Sequence, residues 1–584
     1  MSTTSVPAPV TGIEVGETAE AFVEALVAQG VECLFLNPGT DTFPVQEAIR
    51  KLEEQGRRVP RVVLCLFEVV ALAAAHGYYA ATGRPQAVLV HVDVGTQNLG
   101  AMLHNAQRGR AAVVIAAGRA PYTTDPQERG SRSSYIHWLQ EQLDQHGIVR
   151  NYTKWDYELR RADQVGEVTS RAFQIAASDP PGPVYMTLPR ELLMAQAGTP
   201  PLYAPDRFRP AKLGAGDPES LDLAARWLVS AESPVMLVAD VGKNPKGYVA
   251  CQALAEALAL PVVEWRNRAN FPGNHPLYQG HDATDLIQEA DAILVVDHDV
   301  PYIPTLVQPR PEARIIQIDV DPVKEQVPLW TFPVDLPIRA DSAAALELLR
   351  ERALAHLGDQ PRPEIEARRE RLTKRHEQLR KEWERKAIDD GAGDDITPSW
   401  LGYCLNQLAQ EQPGLVFVDE MVTSNTAVWE QVPAREPESW YVSGGSGLGW
   451  GLGAALGMKL ARPDRQVVSL VGDGSFVFGA PTAALWAMQV QEAPALVVIL
   501  NNACYNATKR PLVASYPEGY SVSTDRFVGI DLVPPPRYDK IAEAAGGYGE
   551  QVSAPGELLD ALRRGLERVQ AGQAAVIDVQ LRRP

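Results

Sequence analysis

The chain has 584 residues, 45% of them hydrophobic and 22% charged, with a formal net charge of -18, which predicts a globular protein of roughly three or four domains. The acidic balance argues against an electrostatic nucleic-acid binder, which needs clustered Lys and Arg, yet it allows an anionic substrate beside one local cation. Five cysteines (Cys33, Cys65, Cys251, Cys404 and Cys504) form no C-x-x-C pair or zinc spacing and read as buried free thiols in a reducing cytoplasm, while the lack of a basic-then-apolar N-terminus or of a run of about 18 apolar residues predicts neither signal peptide nor membrane span.

Up to residue 195, apolar strand-like runs alternate with helical patterns. Val31–Leu36, Val62–Leu66, Ala87–His91 and Ala112–Ala117 read as buried parallel strands, with helical segments at Thr18–Gln29 and Val69–Thr82. The pattern predicts a mostly parallel sheet with helices on both faces. Pro180-Pro181-Gly182-Pro183 precedes a last strand, VYMTL. A proline-rich link, Thr199–Pro210, leads to a second α/β unit over 212–352, with strands PVMLVAD, PVVEW, AILVVD and RIIQIDV. Residues 353–395 read as a charged connector, and the mixed charges of Glu364–Lys386 predict a solvated helix. The third unit, 396–584, alternates again through LVFVDE, QVVSLVGDG, ALVVILNN and AAVIDVQL. The expected fold class is α/β, three Rossmann-like units of parallel sheet flanked by helices; whether units one and three share an architecture is not legible.

Chemistry concentrates in the third unit. Val467–Val471 ends in Gly472-Asp473-Gly474, and Ala495–Leu500 ends in Asn501-Asn502. Residues 475 to 500, 26 in all, lie between and hold a helical pattern. Both motifs therefore leave the carboxyl ends of parallel strands, where α/β sheets place ligands. Mg²⁺ takes hard oxygen ligands and bridges phosphates. Asp473 offers a carboxylate and Asn502 an amide oxygen, while Gly472 and Gly474 let the backbone approach a diphosphate closely. A lone G-D-G is a common turn; followed at this spacing by N-N, each after a buried strand, it is specific.

Gly472-Asp473-Gly474-Ser475-Phe476 with Asn501-Asn502 at that spacing resembles the thiamine diphosphate (ThDP) motif of the pyruvate oxidase, acetolactate synthase and benzoylformate decarboxylase superfamily. The resemblance covers nearly the whole chain. It implies a pyrimidine-binding domain over 1–195, a central domain over 212–352, and a diphosphate- and Mg²⁺-binding domain over 396–584. It implies that Asp473 and Asn502 hold Mg²⁺ through side chains and Cys504 through its backbone carbonyl, with Gly472, Gly474 and Ser475 at the diphosphate.

Glu68 is a lone charge in a long apolar run. A buried carboxylate needs a partner or a raised pKa, although an exposed glutamate at a helix start gives the same pattern. Glu68-Val-Val-Ala71-x-x-x-Ala75-His-Gly77-Tyr78-x-Ala80-x-Thr82-Gly83 is similar to the family's stretch around the glutamate that hydrogen-bonds the aminopyrimidine and activates the cofactor. Tyr79 replaces an alanine of that pattern, and Phe67 stands where the family often has histidine. The resemblance also implies that this glutamate and the Mg²⁺ site come from different subunits, so a homodimer is the minimum and a tetramer is common.

Several segments resemble benzoylformate decarboxylase in particular. Asn37-Pro38-Gly39-Thr40 resembles its N-P-G-S, which makes Thr40 and the neighbouring Asp41 candidate substrate contacts. His91-x-x-x-Gly95-Thr96-x-Asn98 resembles the motif of its proton-shuttling histidine. An imidazole titrates near neutral pH and suits that task, while a satisfied core histidine is the bland alternative. Glu420-x-x-Thr423-Ser424-x-Thr426-x-x-Trp429 and Gly447-Leu448-Gly449 are also similar, the latter implying that Leu448 props the cofactor in its bent form. His104 and Asn105 read as helix surface or a dimer contact.

Asn506, Lys509 and Arg510 depart from the pattern; the two cations suit a carboxylate, a phosphate, a CoA tail or plain surface. The central unit shows no FAD pattern, so a flavin is not expected. The reading is thus a ThDP- and Mg²⁺-dependent enzyme acting on a small 2-oxo acid. The enamine left by decarboxylation is protonated to an aldehyde or transferred to a second carbonyl, such as an aldehyde acceptor. Alternatives are an enzyme of the 2-hydroxyacyl-CoA lyase or oxalyl-CoA decarboxylase type acting on an acyl-CoA, and a non-catalytic regulatory subunit with the same fold.

Overall fold

The computed structural model describes residues 15–358 and 362–584; residues 1–14 of the stretch read for a signal peptide and 359–361 of the charged connector lie outside the described residues. Three parallel sheets carry the fold. The first runs, from one edge to the other, Arg61–Leu64, Cys33–Leu36, Gln86–Val90, Val113–Arg119, Val184–Pro189 and Asp156–Glu158. The last runs Trp440–Val442, Leu415–Glu420, Gln466–Gly472, Leu496–Asn501, Ala575–Gln580 and Tyr548–Val552. Counted along the chain within each unit, both orders are 2-1-3-4-6-5, so units one and three share one topology. The central sheet runs 2-1-3-4-5, from Val262–Glu264 through Pro234–Val238, Ala292–Val296 and Arg314–Asp319 to Leu336–Arg339. The interior strands are apolar on both faces because helices cover both.

Chain order reverses between strands one and three of each sheet, and the crevice beyond their carboxyl ends is where such sheets place ligands. In unit one that point is flanked by the loop after Leu36 and by His91. In unit three it is flanked by Glu420 and Asp473.

Units one and three meet through two helices poor in bulk, Glu68–Thr82 and Trp450–Ala461. A Cβ on Gly457 would lie 1.9 Å from the Ala74 carbonyl oxygen, and one on Gly77 would lie 2.4 Å from that of Ala454. Only glycine permits that approach. The Trp450 indole N–H also donates across it to buried His76, at 3.1 Å. Arg110, from unit one, reaches Asp319 at the carboxyl edge of the central sheet (2.9 Å), where Lys324 and Lys243 pair with Asp319 and Asp297 at 2.6 and 2.9 Å.

The boundary expected at 352/353 falls inside the central unit's last helix, Ser342–Leu357, and the connector proper is the helix Pro363–Gly391. The expectation of a merely solvated helix needs correction. Ile365, Arg368, Leu372, His376 and Ala387 are buried. The Arg368 guanidinium donates to the carbonyls of Leu258, Ala259, Ala231 and Glu232 at 2.7–3.2 Å. It thereby satisfies the orphan carbonyl ends of two central helices, Pro218–Ser230 and Pro245–Leu258. Among the described residues no helix is long and apolar enough to cross a membrane, and all five cysteines are buried and free.

Candidate active site

The register of the third sheet sets Gly472 beside Leu500, so Asp473 and the Asn501-Asn502 pair leave neighbouring strands together. Asp473 opens the short helix Asp473–Phe478. Its Oδ1 accepts the Gly474 N–H at 2.8 Å, while its buried Oδ2 has no partner in the protein. Burial lifts the Asp473 pKa, against the pull of the Gly474, Ala503 and Cys504 N–H groups. A buried carboxylate oxygen without a donor suits a cation. Asn502 Oδ1 accepts the Cys504 N–H at 3.0 Å and keeps a second lone pair. The Cys504 carbonyl accepts the Asn506 N–H at 2.8 Å and likewise has a lone pair left. Asn501 differs: it donates to Asp578 at 2.9 Å and accepts from Ala503 at 3.1 Å, and so shapes the turn. Ala503 adopts a left-handed backbone, φ 52°. One carboxylate with amide and carbonyl oxygens is a hard-oxygen set that fits Mg²⁺. Ser475 is buried on the same helix. A Cβ on Gly474 would lie 2.6 Å from the Tyr505 ring, whereas one on Gly472 would meet nothing nearer than the Ser475 hydroxyl at 3.8 Å.

Leu448 stands half-buried between two glycines. Gly449 has φ 101°, and a Cβ there would lie 2.5 Å from the Phe478 carbonyl oxygen. Glu420 ends its strand directly beneath. Its carboxylate accepts the N–H groups of Gly449, Trp450 and Gly451 at 2.7, 3.2 and 2.9 Å, capping helix Trp450–Ala461. Burial pushes the Glu420 pKa up to about 7, against the three N–H donors, and Asp419 adds to the rise. Asp419 accepts the indole N–H groups of Trp429 and Trp440 at 2.7 and 3.1 Å. The Glu420-to-Trp429 motif therefore has a structural account at both ends.

In unit one the reversal crevice gathers Thr40, Asp41 and His91. Asp41 is buried; one carboxylate oxygen pairs with His91 Nδ1 and the other accepts the Val92 N–H at 3.2 Å. Thr40 is exposed on the same loop. Burial pulls the His91 pKa down, but the Asp41 carboxylate outweighs it, with help from Gln140 and Asp93, and holds it above the ordinary histidine value. Gln140 Nε2 and Asp93 Oδ1 are buried without partners. No motif marks either residue in the sequence. Glu68 opens its helix, buried rather than solvated, and accepts from Asn98 Nδ2 at 3.2 Å.

Asn105 is also buried, contrary to the reading of helix surface. It hydrogen-bonds the Gly447 backbone 342 positions on, a pairing that no local pattern announces. Lys509 lies 4.2 Å over the Phe527 ring and donates to the Pro584 carbonyl at 2.8 Å, while Arg510 is exposed. Asn506 is buried, 3.5 Å from the Thr423 hydroxyl. Large apolar side chains stay exposed beside both halves of the site: Leu66 and Val94 near Glu68, and Val422, Val477 and Phe478 near Glu420 and Asp473.

Comparison with known proteins adds a family to this geometry. Residues 16–148, 221–349 and 421–579 match the descriptions thiamine pyrophosphate enzyme N-terminal TPP binding domain, central domain and C-terminal TPP binding domain. Benzoylformate decarboxylase of Pseudomonas aeruginosa is 30% identical over 510 residues, spanning 84% of this chain and 86% of that protein. The acetolactate synthase isozyme 3 large subunit of Escherichia coli is 28% identical, over 96% of this chain and 94% of that protein. Among solved structures, the thiamine diphosphate-dependent 4-hydroxybenzoylformate decarboxylase of Rhodococcus jostii aligns with TM-score 0.77 at 25% identity, over 97% of this chain and 99% of that one.

Proposed function

The chain belongs to the thiamine pyrophosphate enzyme family, and from that premise we propose that it uses ThDP with Mg²⁺ to decarboxylate a small 2-oxo acid. The observation that carries this reading is a wall shared by Glu68 and His91. A Cβ on Gly95 would lie 3.1 Å from Glu68 Oε1 and equally 3.1 Å from His91 Cβ. A buried acid and an imidazole whose pKa the Asp41 carboxylate raises thus line one crevice, at the reversal point of the sheet.

When bound, ThDP supplies a nucleophilic carbon and an electron sink. Asp473 Oδ2, the Asn502 amide oxygen and the Cys504 carbonyl would hold Mg²⁺, with Gly472, Gly474 and Ser475 facing the diphosphate. Glu68 would hold the aminopyrimidine by a hydrogen bond, and Leu448 would stand against the rings. His91 keeps Nδ1 against Asp41, which leaves Nε2 as the atom that delivers a proton. Asp41 serves by orienting His91, a refinement of its reading as a substrate contact; exposed Thr40 keeps that role. The product is an aldehyde when the proton arrives first, and a 2-hydroxy ketone or acetohydroxy acid when a second carbonyl does. The exposed apolar side chains beside both half-sites favour a second copy of the chain as their cover, a homodimer that completes the site.

A panel of 2-oxo acids and acyl-CoA thioesters, run with and without an aldehyde, tests the reading. Carbon dioxide should leave a 2-oxo acid, and Glu68→Gln should fold normally yet lose turnover by roughly 100-fold or more. Near-normal turnover of Glu68→Gln overturns the role of Glu68. Cleavage of an acyl-CoA alone moves the activity to the CoA class, and tight cofactor binding with no turnover on any donor leaves a regulatory subunit.

A further inference from the structure

Leu448 is the single residue between two clamps that come from different parts of the molecule. Upstream, Asn105 Nδ2 donates to the Gly447 carbonyl and Asn105 Oδ1 accepts the Gly447 N–H, both at 2.8 Å. Asn105 is fully buried on helix Ala101–Arg108 of unit one. Its amide thus pairs with a peptide as a neighbouring strand would, with donor and acceptor both used, and only one orientation of the amide satisfies both. Downstream, Glu420 takes the three successive N–H groups of residues 449–451.

The loop has no slack between these points. A Cβ on Gly445 would lie 2.5 Å from Asn105 Oδ1, and one on Gly447 would lie 2.7 Å from Ala101 Cβ. Gly444 presses on Gly109, where an added Cβ would lie 2.6 Å from its Cα. The Ser446 hydroxyl lies 3.2 Å from His104 Nε2, a further tie to the same helix.

We propose that Asn105 is a positioning residue for Leu448: it pins the Gly447 peptide from unit one while Glu420 pins the following turn, so that the leucine is presented to the cofactor site at a set height. The inference rests on the proposed role of Leu448 at ThDP. It adds that unit one of the same chain, through Asn105, sets how tightly unit three holds the cofactor.

The bonds are buried, so losing them leaves the Gly447 N–H and carbonyl unpaired unless the loop moves. Amide exchange in the apoprotein reads the clamp independently of the cofactor. Asn105→Leu should make the Gly447 amide exchange at least about tenfold faster, as the loss of its buried acceptor requires; unchanged exchange overturns the clamp. Calorimetric titration of ThDP in saturating Mg²⁺ then reads its consequence. Leu448→Ala and Asn105→Leu should each weaken binding by about tenfold, and the double variant should bind no more weakly than Leu448→Ala alone, the non-additivity expected of residues acting through one contact. Additive losses, or no loss in Asn105→Leu while Leu448→Ala binds weakly, overturn the positioning role. If Leu448→Ala itself binds normally while exchange is fast in Asn105→Leu, the role of Leu448 falls and the clamp stands. Should Asn105→Leu not fold, Asn105→Ser, smaller and open to water, carries the same outcomes.

Discussion

A buried carboxylate with one oxygen hydrogen-bonded and the other unpartnered costs the folded chain free energy, and Asp473 is such a group. Asp473→Asn should therefore stabilise the apoprotein by about 1–3 kcal/mol while abolishing Mg²⁺-dependent ThDP binding. Thermal melting and calorimetry check the two halves separately; a destabilised apoprotein with intact binding contradicts the metal assignment. His91 presents the opposite arrangement, a cation-capable group held up by its partner. Burial lowers its pKa and Asp41 more than restores it, so Asp41→Asn removes the restoring charge and the pKa falls. If His91 acts in its protonated form, the basic limb of kcat/KM moves toward acid pH and turnover at neutral pH drops by roughly tenfold or more. An unmoved limb would assign the proton to another group. Asp473, Asn502 and Glu68 were legible in the sequence because each sits in a motif of fixed spacing. Asn105 and Glu420 act through partners 342 and about 30 positions away, so their contacts exist only after the fold forms. Asp41 is intermediate: its loop was legible, but that its carboxylate turns inward to His91 was not.

At the scale of elements, Glu420 joins a strand end to a helix start and does so with an acid whose pKa is near neutral. Below about pH 4.3, the ordinary glutamate value, Glu420 is neutral whether the chain is folded or not. Between there and about 7 the folded state keeps a proton that the unfolded state has released, so rising pH favours unfolding. Above about 7 both states are charged and the dependence ends. Its contribution thus predicts a loss of up to about 4 kcal/mol of apoprotein stability across that window. Glu420→Gln should flatten the loss, as urea denaturation at several pH values would reveal; an equally steep profile in the variant assigns the dependence elsewhere. Buried interior strands announced themselves as apolar runs, but Asp156–Glu158, Leu336–Arg339, Trp440–Val442 and Tyr548–Val552 did not, and all four are edge strands. An edge is short or half-exposed, so burial imposes little apolar pattern on it. The charged connector misled for a related reason: its sparse buried positions, such as Arg368 beneath two helix ends, are outnumbered by the charges on its open faces.

At the scale of the whole molecule, two sheets of the same 2-1-3-4-6-5 order each bring a reversal crevice to the surface, one bearing Glu68 and His91, the other Asp473 and Leu448. The glycine-mediated crossing of Glu68–Thr82 on Trp450–Ala461 fixes how these units sit within one chain. Exposed Leu66 and Val94 border one crevice, and Val422, Val477 and Phe478 border the other. Leu66 and Val422 also adopt left-handed backbones, φ 58° and 53°, a strain that tends to persist at functional sites. If the two crevices combine across a twofold axis, each complete site takes Glu68 from one protomer and Asp473 from its partner. Glu68→Gln and Asp473→Ala homodimers are then inactive for different reasons. A mixed dimer, however, pairs the intact Glu68 of one chain with the intact Asp473 of the other at one of its two sites. Co-expressing the two inactive variants with distinct tags should restore about a quarter of full activity: random pairing makes about half the dimers mixed, and each has one good site of two. Purifying the doubly tagged species should raise this to about half. If instead both residues serve a site within one chain, no mixture recovers activity, and the exposed apolar rims must be covered for some purpose other than catalysis.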